Sequence, residues 1–225
     1  MIRVQHLGVP SLAVLMAVFC FSSGAMASGV VASANESSLV AAMTGGGTVT
    51  FAVNGTIYLT STIVVSNDTV LDATGYNVAI SGSNAVQIFI VNTNTTLAMT
   101  NLTLCDGFIQ SFSYGYPLDG CGGAISNAGT LQMTDCTFSN NSCVGINYQY
   151  GVAADGEAGA VYNSGMVTAL GCVFSGNSAV GGSGGYAGGV IGGAFVNANQ
   201  ATFINCSFSN NIAAGGIGAS LTSRG

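Results

Sequence analysis

The sequence predicts an all-β solenoid, a parallel β-helix, behind an N-terminal export signal and a short capping helix. Three observations carry that expectation. First, a block of the chain recurs: GGAISNAGTLQMTDCTFSNN from Gly122, GAVYNSGMVTALGCVFSGN from Gly159 and GAFVNANQATFINCSFSNN from Gly193. A period of 34 to 36 residues is the mark of a solenoid. Second, apolar residues alternate within each copy, and no helical stripe competes with that alternation. Third, only 4% of residues are charged and 34 are glycine, yet the apolar residues are scattered singly among Gly, Ser, Thr and Asn.

Residues 1–27 read as a secretory signal peptide. Arg3 and His6 make a basic start, Leu12 to Phe21 (LAVLMAVFCF) a short apolar run, and Ala25-Met26-Ala27 a cleavage site before Ser28. Beyond them no apolar run approaches the roughly 18 residues that a spanning helix needs. Removing this segment leaves no Lys, no His and a single Arg, Arg224, against eight acids, a formal charge of −7. A nucleic-acid partner is excluded, because Lys and Arg supply that affinity. No transmembrane segment is expected in the mature chain.

Residues 28–47 are expected to cap the solenoid. Asn35 to Met43 (NESSLVAAM) has the look of a short helix stopped by Gly45-Gly46-Gly47. A solenoid needs such a cover over its open end. Residues 48–225 are the solenoid proper, expected to be C-terminally incomplete, since the chain stops soon after the last FSNN without a second cap. The strands TVTFAV, TIYLTSTIVV, TVLDA, VAISG and QIFIV supply its first two or so coils.

Laid in register, the three copies align Gly123, Gly159 and Gly193; Asn127, Asn163 and Asn197; Cys136, Cys172 and Cys206; Phe138, Phe174 and Phe208; and Asn141, Asn177 and Asn211. A weaker copy, Thr96 to Leu104, precedes them. Each period is expected to hold three short strands and one longer loop. A single unit cannot bury its own apolar side, whereas units stacked at about 4.8 Å bring like onto like. The Phe column then becomes a continuous interior stack and the Asn columns become bends or amide ladders. The Gly column marks close-packed backbone, and the Cys column is a ladder of small buried side chains. Cys105 and Cys121 bracket one loop and are placed to clamp its base.

The acids Asp68, Asp72 and Asp135 look like turn residues. Asp155 and Glu157 lie together in a Gly-rich stretch. They read either as an ordinary solvated loop or as calcium ligands with Asp119 or Asp106. Three inter-repeat loops, residues 107–121, 142–157 and 178–191, stack on one side. They collect Tyr114, Tyr116, Tyr148, Tyr150 and Tyr186, with Phe108 and Phe112 beside them. These tyrosines are the candidate ligand-binding residues, because Tyr joins an apolar ring to a polar tip. The alternative is that the rings pack on one another and stiffen the loops.

GGAI at Gly122 to Ile125, followed by FSNN at Phe138 to Asn141, resembles the GGAI and FxxN repeats of chlamydial polymorphic outer membrane proteins. The coils as a group resemble bacterial surface proteins of the pectin lyase-like superfamily, which form right-handed parallel β-helices. The resemblance covers roughly residues 48–211. It implies a right-handed solenoid, exported by a bacterium and secreted or held at the cell surface or outer membrane, often adhesive, with a glycan or a surface protein as partner. The chlamydial proteins end in a membrane β-barrel, and this sequence shows no such segment. Enzymes of the superfamily resemble one another in using Arg or Lys, or aspartates with His, on acidic polysaccharides. Here the body of the chain has no basic residue, so no catalytic set, metal or cofactor is expected. The expected function is a non-catalytic surface or adhesion module. The alternative is a polysaccharide-active hydrolase working with carboxylates alone, since two acids suffice for that chemistry.

Overall fold

The computed structural model describes residues 28–112 and 121–218. The signal-like segment, Tyr114, Tyr116, Asp119 and Arg224 lie outside these residues. The described chain is all-β with parallel sheets and one short helix.

It opens with β1 (Ser28–Val31) and α1 (Glu36–Met43), then β2 (Gly47–Phe51), β3 (Gly55–Tyr58) and β4 (Ile63–Val65). A second circuit follows: β5 (Thr69–Asp72), β6 (Val78–Ser81) and β7 (Phe89–Val91). A third has β8 (Thr96–Thr100), β9 (Leu102–Cys105), β10 (Phe108–Ser111) and β11 (Ile125–Asn127). The fourth is β12 (Thr130–Thr134), β13 (Thr137–Ser139), β14 (Ser142–Gly145), β15 (Tyr148–Val152), β16 (Gly156–Ala158) and β17 (Val161–Asn163). The fifth repeats it with β18 (Met166–Leu170), β19 (Val173–Ser175), β20 (Ser178–Val180), β21 (Gly184–Tyr186), β22 (Val190–Gly192) and β23 (Phe195–Asn197). The last described strands are β24 (Gln200–Ile204), β25 (Ser207–Ser209) and β26 (Ile212–Ala214).

Each circuit visits the same sheets in the same order. The first sheet runs β1-β2-β5-β8-β12-β18-β24, the second β3-β6-β9-β13-β19-β25 and the third β4-β7-β11-β17-β23. From the third circuit a fourth sheet, β10-β14-β20-β26, is added, and then the pairs β15-β21 and β16-β22. The early circuits advance by 22 and then 28 residues (Gly47 to Thr69, Thr69 to Leu97) because they lack the fourth sheet.

Inward residues stack in columns. Val49, Leu71, Met99, Met133, Ala169 and Phe203 are successive backbone partners across the first sheet. Fully burying a side chain of this kind contributes about 1.5–3 kcal/mol. Two corners are built from left-handed backbone. Asn101, Asp135, Gly171 and Asn205 occupy one, at φ of 57, 51, 64 and 53°. Asp106, Asn140, Gly176 and Asn210 occupy the other, at 51, 55, 66 and 54°. Asn, Asp and Gly are the residue types that tolerate this region. The column Gly123, Gly159 and Gly193 has a different cause: a Cβ on Gly123 would land on the carbonyl oxygen of Gly159, and one on Gly159 on that of Gly193.

Two amide ladders run through the interior. Asn127 Nδ2 donates to Asn163 Oδ1 at 2.7 Å, and Asn163 Nδ2 to Asn197 Oδ1 at 2.7 Å. Asn141 and Asn177 do the same to the next amide oxygen at 2.9 Å. They also donate to Leu104 O and Phe138 O, which ties the ladder to the second sheet. Among the described residues no buried side-chain nitrogen or oxygen lacks a hydrogen-bond partner.

Helix α1 packs on β1. The Asn35 side chain accepts from Ser38 N at 2.9 Å and starts the helix. Leu39 is its buried residue, and the Glu36 carboxylate accepts four hydrogen bonds from Thr60 and Ser61.

Three expectations need correcting. Residues 142–157 and 178–191 are not plain loops. They form β14 to β16 and β20 to β22, because two stretches of similar length lie in register and pair their backbones. The Phe stack is not interior throughout: Phe138 and Phe174 are fully buried, but Phe208, on the last described circuit, is 48% exposed. No disulfide joins Cys105 to Cys121; Cys121 instead sits at Glu157, whose backbone N donates to Cys143 Sγ.

Candidate functional site

The flank built by β14 to β16 and β20 to β22 differs from the rest of the molecule. Between its strands lies a small annex of Cys121, Cys143, Ala153, Ala154, Ala158 and Ala179, all buried and mostly separate from the main core. Glycine and alanine dominate because the backbones approach closely; a Cβ on Gly181 would meet Gly188 O.

The outer side of this flank carries exposed apolar groups. Phe112, just after β10, is 57% exposed, Tyr148 in β15 is 38% and Tyr186 in β21 is 69%. The two tyrosines do not face each other. Tyr148 pairs with Gly184 and Tyr186 with Val152, because the register shifts between them. Phe112, Tyr148, Val152 and Tyr186 are thus exposed on adjoining segments of this flank, as is Ile217, whose carbonyl accepts from Gly184 N. Tyr150 is in the same strand, β15, and Tyr114 and Tyr116 lie outside the described residues. Phe108 is half-buried. No Lys, Arg or His occurs between residues 28 and 218, so nothing here offers a cation to an acidic ligand.

The acids nearby are placed differently from the sequence reading. Glu157 is fully buried, and its Oε2 accepts from Cys121 N at 2.8 Å. It is therefore neither a solvated loop residue nor turned out with Asp155. Asp155 Oδ1 accepts from Gly189 N. Among the described residues no group of three His, Cys, Asp or Glu is arranged for a metal ion.

The six cysteines among the described residues form no disulfide with one another. Cys136, Cys172 and Cys206 each donate to a carbonyl two residues back, Thr134 O, Leu170 O and Ile204 O. A thiol hydrogen bond from Cys172 holds Cys136 below the ordinary thiol range and Cys172 above it. Burial and the neighbouring Asp106 push Cys105 up to about 11. None of these is an activated, accessible nucleophile.

Two hollows were not anticipated. One, of about 260 Å³, is lined by Val40, Met43, Thr44, Ile63 and Val64 between α1 and β4. The other, of about 210 Å³, is lined by Tyr76, Asn77, Asn101, Thr103, Asp135 and Thr137. The second gathers a phenol, amides, hydroxyls and one carboxylate from three circuits. Only the register of the second sheet brings them together, so no local motif announces it. Part of its amide chemistry is already used, since Asn101 Nδ2 donates to Ala73 O and Tyr76 O. No helix among the described residues is long and apolar enough to cross a membrane. No protein-family model, no curated protein and no solved structure matches the chain.

Proposed function

We propose that the chain is a right-handed parallel β-helix acting as an exported, non-catalytic surface or adhesion module that binds a neutral glycan or a surface protein through its aromatic flank. The observation that carries this reading is the exposure of Phe112, Tyr148 and Tyr186 on adjoining segments of a body with no basic residue between residues 28 and 218. Exposed clustered apolar groups mark interaction surfaces, and Tyr is suited to partners with both apolar faces and hydroxyls. The cyclic order of parallel sheets supports the β-helix, and the resemblance to chlamydial repeats supports export and surface display. Secretion or attachment at a bacterial cell surface or outer membrane belongs to the same proposal.

The carboxylate-only hydrolase fares less well. Asp155 and Glu157 are two acids that lie together in the sequence, and Glu157 is buried on Cys121 N. Glycosidic hydrolysis needs two carboxyl groups facing one bond.

The test is an incubation of the folded full chain with a panel of neutral and acidic polysaccharides. Retention and newly released chain ends are both measured. The reading expects retention of a neutral polymer without new ends. Cleavage would overturn the non-catalytic assignment, and retention only of acidic polymers would overturn the neutral-ligand assignment.

A further inference from the structure

The annex brings two cysteines to one residue: Cys121 N donates to Glu157 Oε2, and Glu157 N donates to Cys143 Sγ. The bridge between Gly122 and Ala158 sets Cys121 beside Glu157, and Ala158 N donates to Cys121 O at 3.0 Å. Cys143 reaches the same place from β14: Glu157 N donates to Cys143 Sγ at 3.4 Å. The backbones are closely apposed, since a Cβ on Gly123 would lie 2.5 Å from Ser142 N. Cys143 is fully buried and Cys121 is 8% exposed. The two residues belong to successive segments of the fold, so their side chains converge from different backbones. The Cys136, Cys172 and Cys206 ladder instead stacks like on like at the strand spacing, where the required dihedral of about 90° is hard to reach.

We propose that Cys121 and Cys143 are a disulfide-forming pair, a covalent clasp between the approach to β11 and strand β14. The donor is a small or protein disulfide of an oxidising compartment. The thiolate of Cys121, the more accessible of the two, attacks one donor sulfur and expels the other as a thiolate. Cys143, as thiolate, then attacks Cys121 Sγ and expels the second donor thiol. Two protons and two electrons leave the cysteines, and one donor disulfide becomes two thiols. The Glu157 N–H remains on Cys143 throughout and stabilises its thiolate at the second step. That same thiol lies below its ordinary range, chiefly through the hydrogen bond from Cys121. The clasp rests on the export reading only for the source of its donor.

The experiment treats the folded full chain with oxidised glutathione, alkylates it after unfolding, and maps the digest by mass spectrometry. The clasp predicts a Cys121–Cys143 cross-linked peptide that disappears on reduction. Oxidation is then expected to raise the thermal midpoint by roughly 5–10 °C. C121S and C143S lose both effects, and C136S keeps both. Alkylation of both Cys121 and Cys143 after oxidation overturns the proposal, as does a link from Cys121 to Cys105. The same map on protein recovered from an exported compartment separates the two readings. A pair that glutathione closes supports the clasp whether or not the chain is found there, and a chain absent from that compartment counts against export.

Discussion

Phe138 and Phe174 stack ring on ring, with centroids 4.8 Å apart and planes 8° from parallel. Their backbones are partners in β13 and β19, so the rings inherit the strand separation. Phe208 continues the stack at 4.7 Å and 3°. Phe203 and Phe195 meet Phe174 edge-on at 6.1 and 6.3 Å. Phe174 therefore has four aromatic neighbours, two stacked and two edge-on. Phe174→Ala is expected to cost about 3–5 kcal/mol. Phe208→Ala is expected to cost much less, because half of that ring already meets solvent. Urea unfolding of the two variants decides it: equal losses, or a near-zero loss at Phe174, would mean that the ring does not anchor the core.

Asn163 sits midway along its ladder and has all its amide positions in use. It accepts from Asn127 Nδ2 at 2.7 Å and from Gly165 N at 3.2 Å. It donates to Asn197 Oδ1 at 2.7 Å and to Gln200 O at 2.9 Å. Truncation leaves buried donors and acceptors behind, each costing about 1–3 kcal/mol. Asn163→Ala is therefore expected to lose about 2–4 kcal/mol, and Asn197→Ala, whose residue is exposed, less than about 1 kcal/mol. Comparable unfolding midpoints for the two variants would show that the ladder does not stabilise the interior.

The sequence revealed most where stacking repeats a residue type. Phe138 over Phe174 and Asn127 over Asn163 were legible because a parallel register brings like positions together every 34 to 36 residues. It could not assign roles within the Asn-rich corners. Asn140 takes the left-handed bend, while Asn141 beside it turns its amide into the ladder. Two neighbouring asparagines with the same local propensities divide that work only through tertiary contact. The strands at residues 142–157 were hidden for a related reason. Their sequence is mostly small and turn-like, and the pairing comes from the neighbouring circuit. Glu157 was misread because a carboxylate in a Gly-rich stretch is ordinarily solvated, and its partner, Cys121 N, is 36 residues away. That the stretches carrying Tyr148 and Tyr186 lie side by side was legible from the repeat. The stagger of Tyr148 and Tyr186 was not, because it follows from a register shift.

Tyr186 is 69% exposed and lies in the two-stranded sheet β15-β21. Tyr186→Ala is expected to change stability by no more than about 0.5 kcal/mol. Retention on any polysaccharide that holds the parent chain is expected to fall at least several-fold. Unchanged retention would move the binding face away from this flank. A large loss of stability would instead make the ring a structural prop.

Glu36 gives the fold an acid-sensitive latch. Its carboxylate accepts from Thr60 Oγ1 at 2.6 Å and Thr60 N at 3.1 Å, and from Ser61 Oγ at 2.9 Å and Ser61 N at 3.1 Å. These bonds, the Thr60 hydroxyl first among them, hold its pKa below the ordinary glutamate value. A group depressed on folding stabilises the folded state above its unfolded pKa. That contribution is lost as pH falls through the lower, folded value. The latch joins the start of α1 to the turn between β3 and β4, so acid loosens the helix from the strands beneath it. Thermal midpoints of the parent chain and of Glu36→Gln are to be compared from pH 7 down to pH 3. The gap between them is expected to be largest at neutral pH and to shrink as acid protonates Glu36. A gap that stays constant across that range would show that the carboxylate's charge does not fasten the helix, leaving shape and neutral hydrogen bonding to do so.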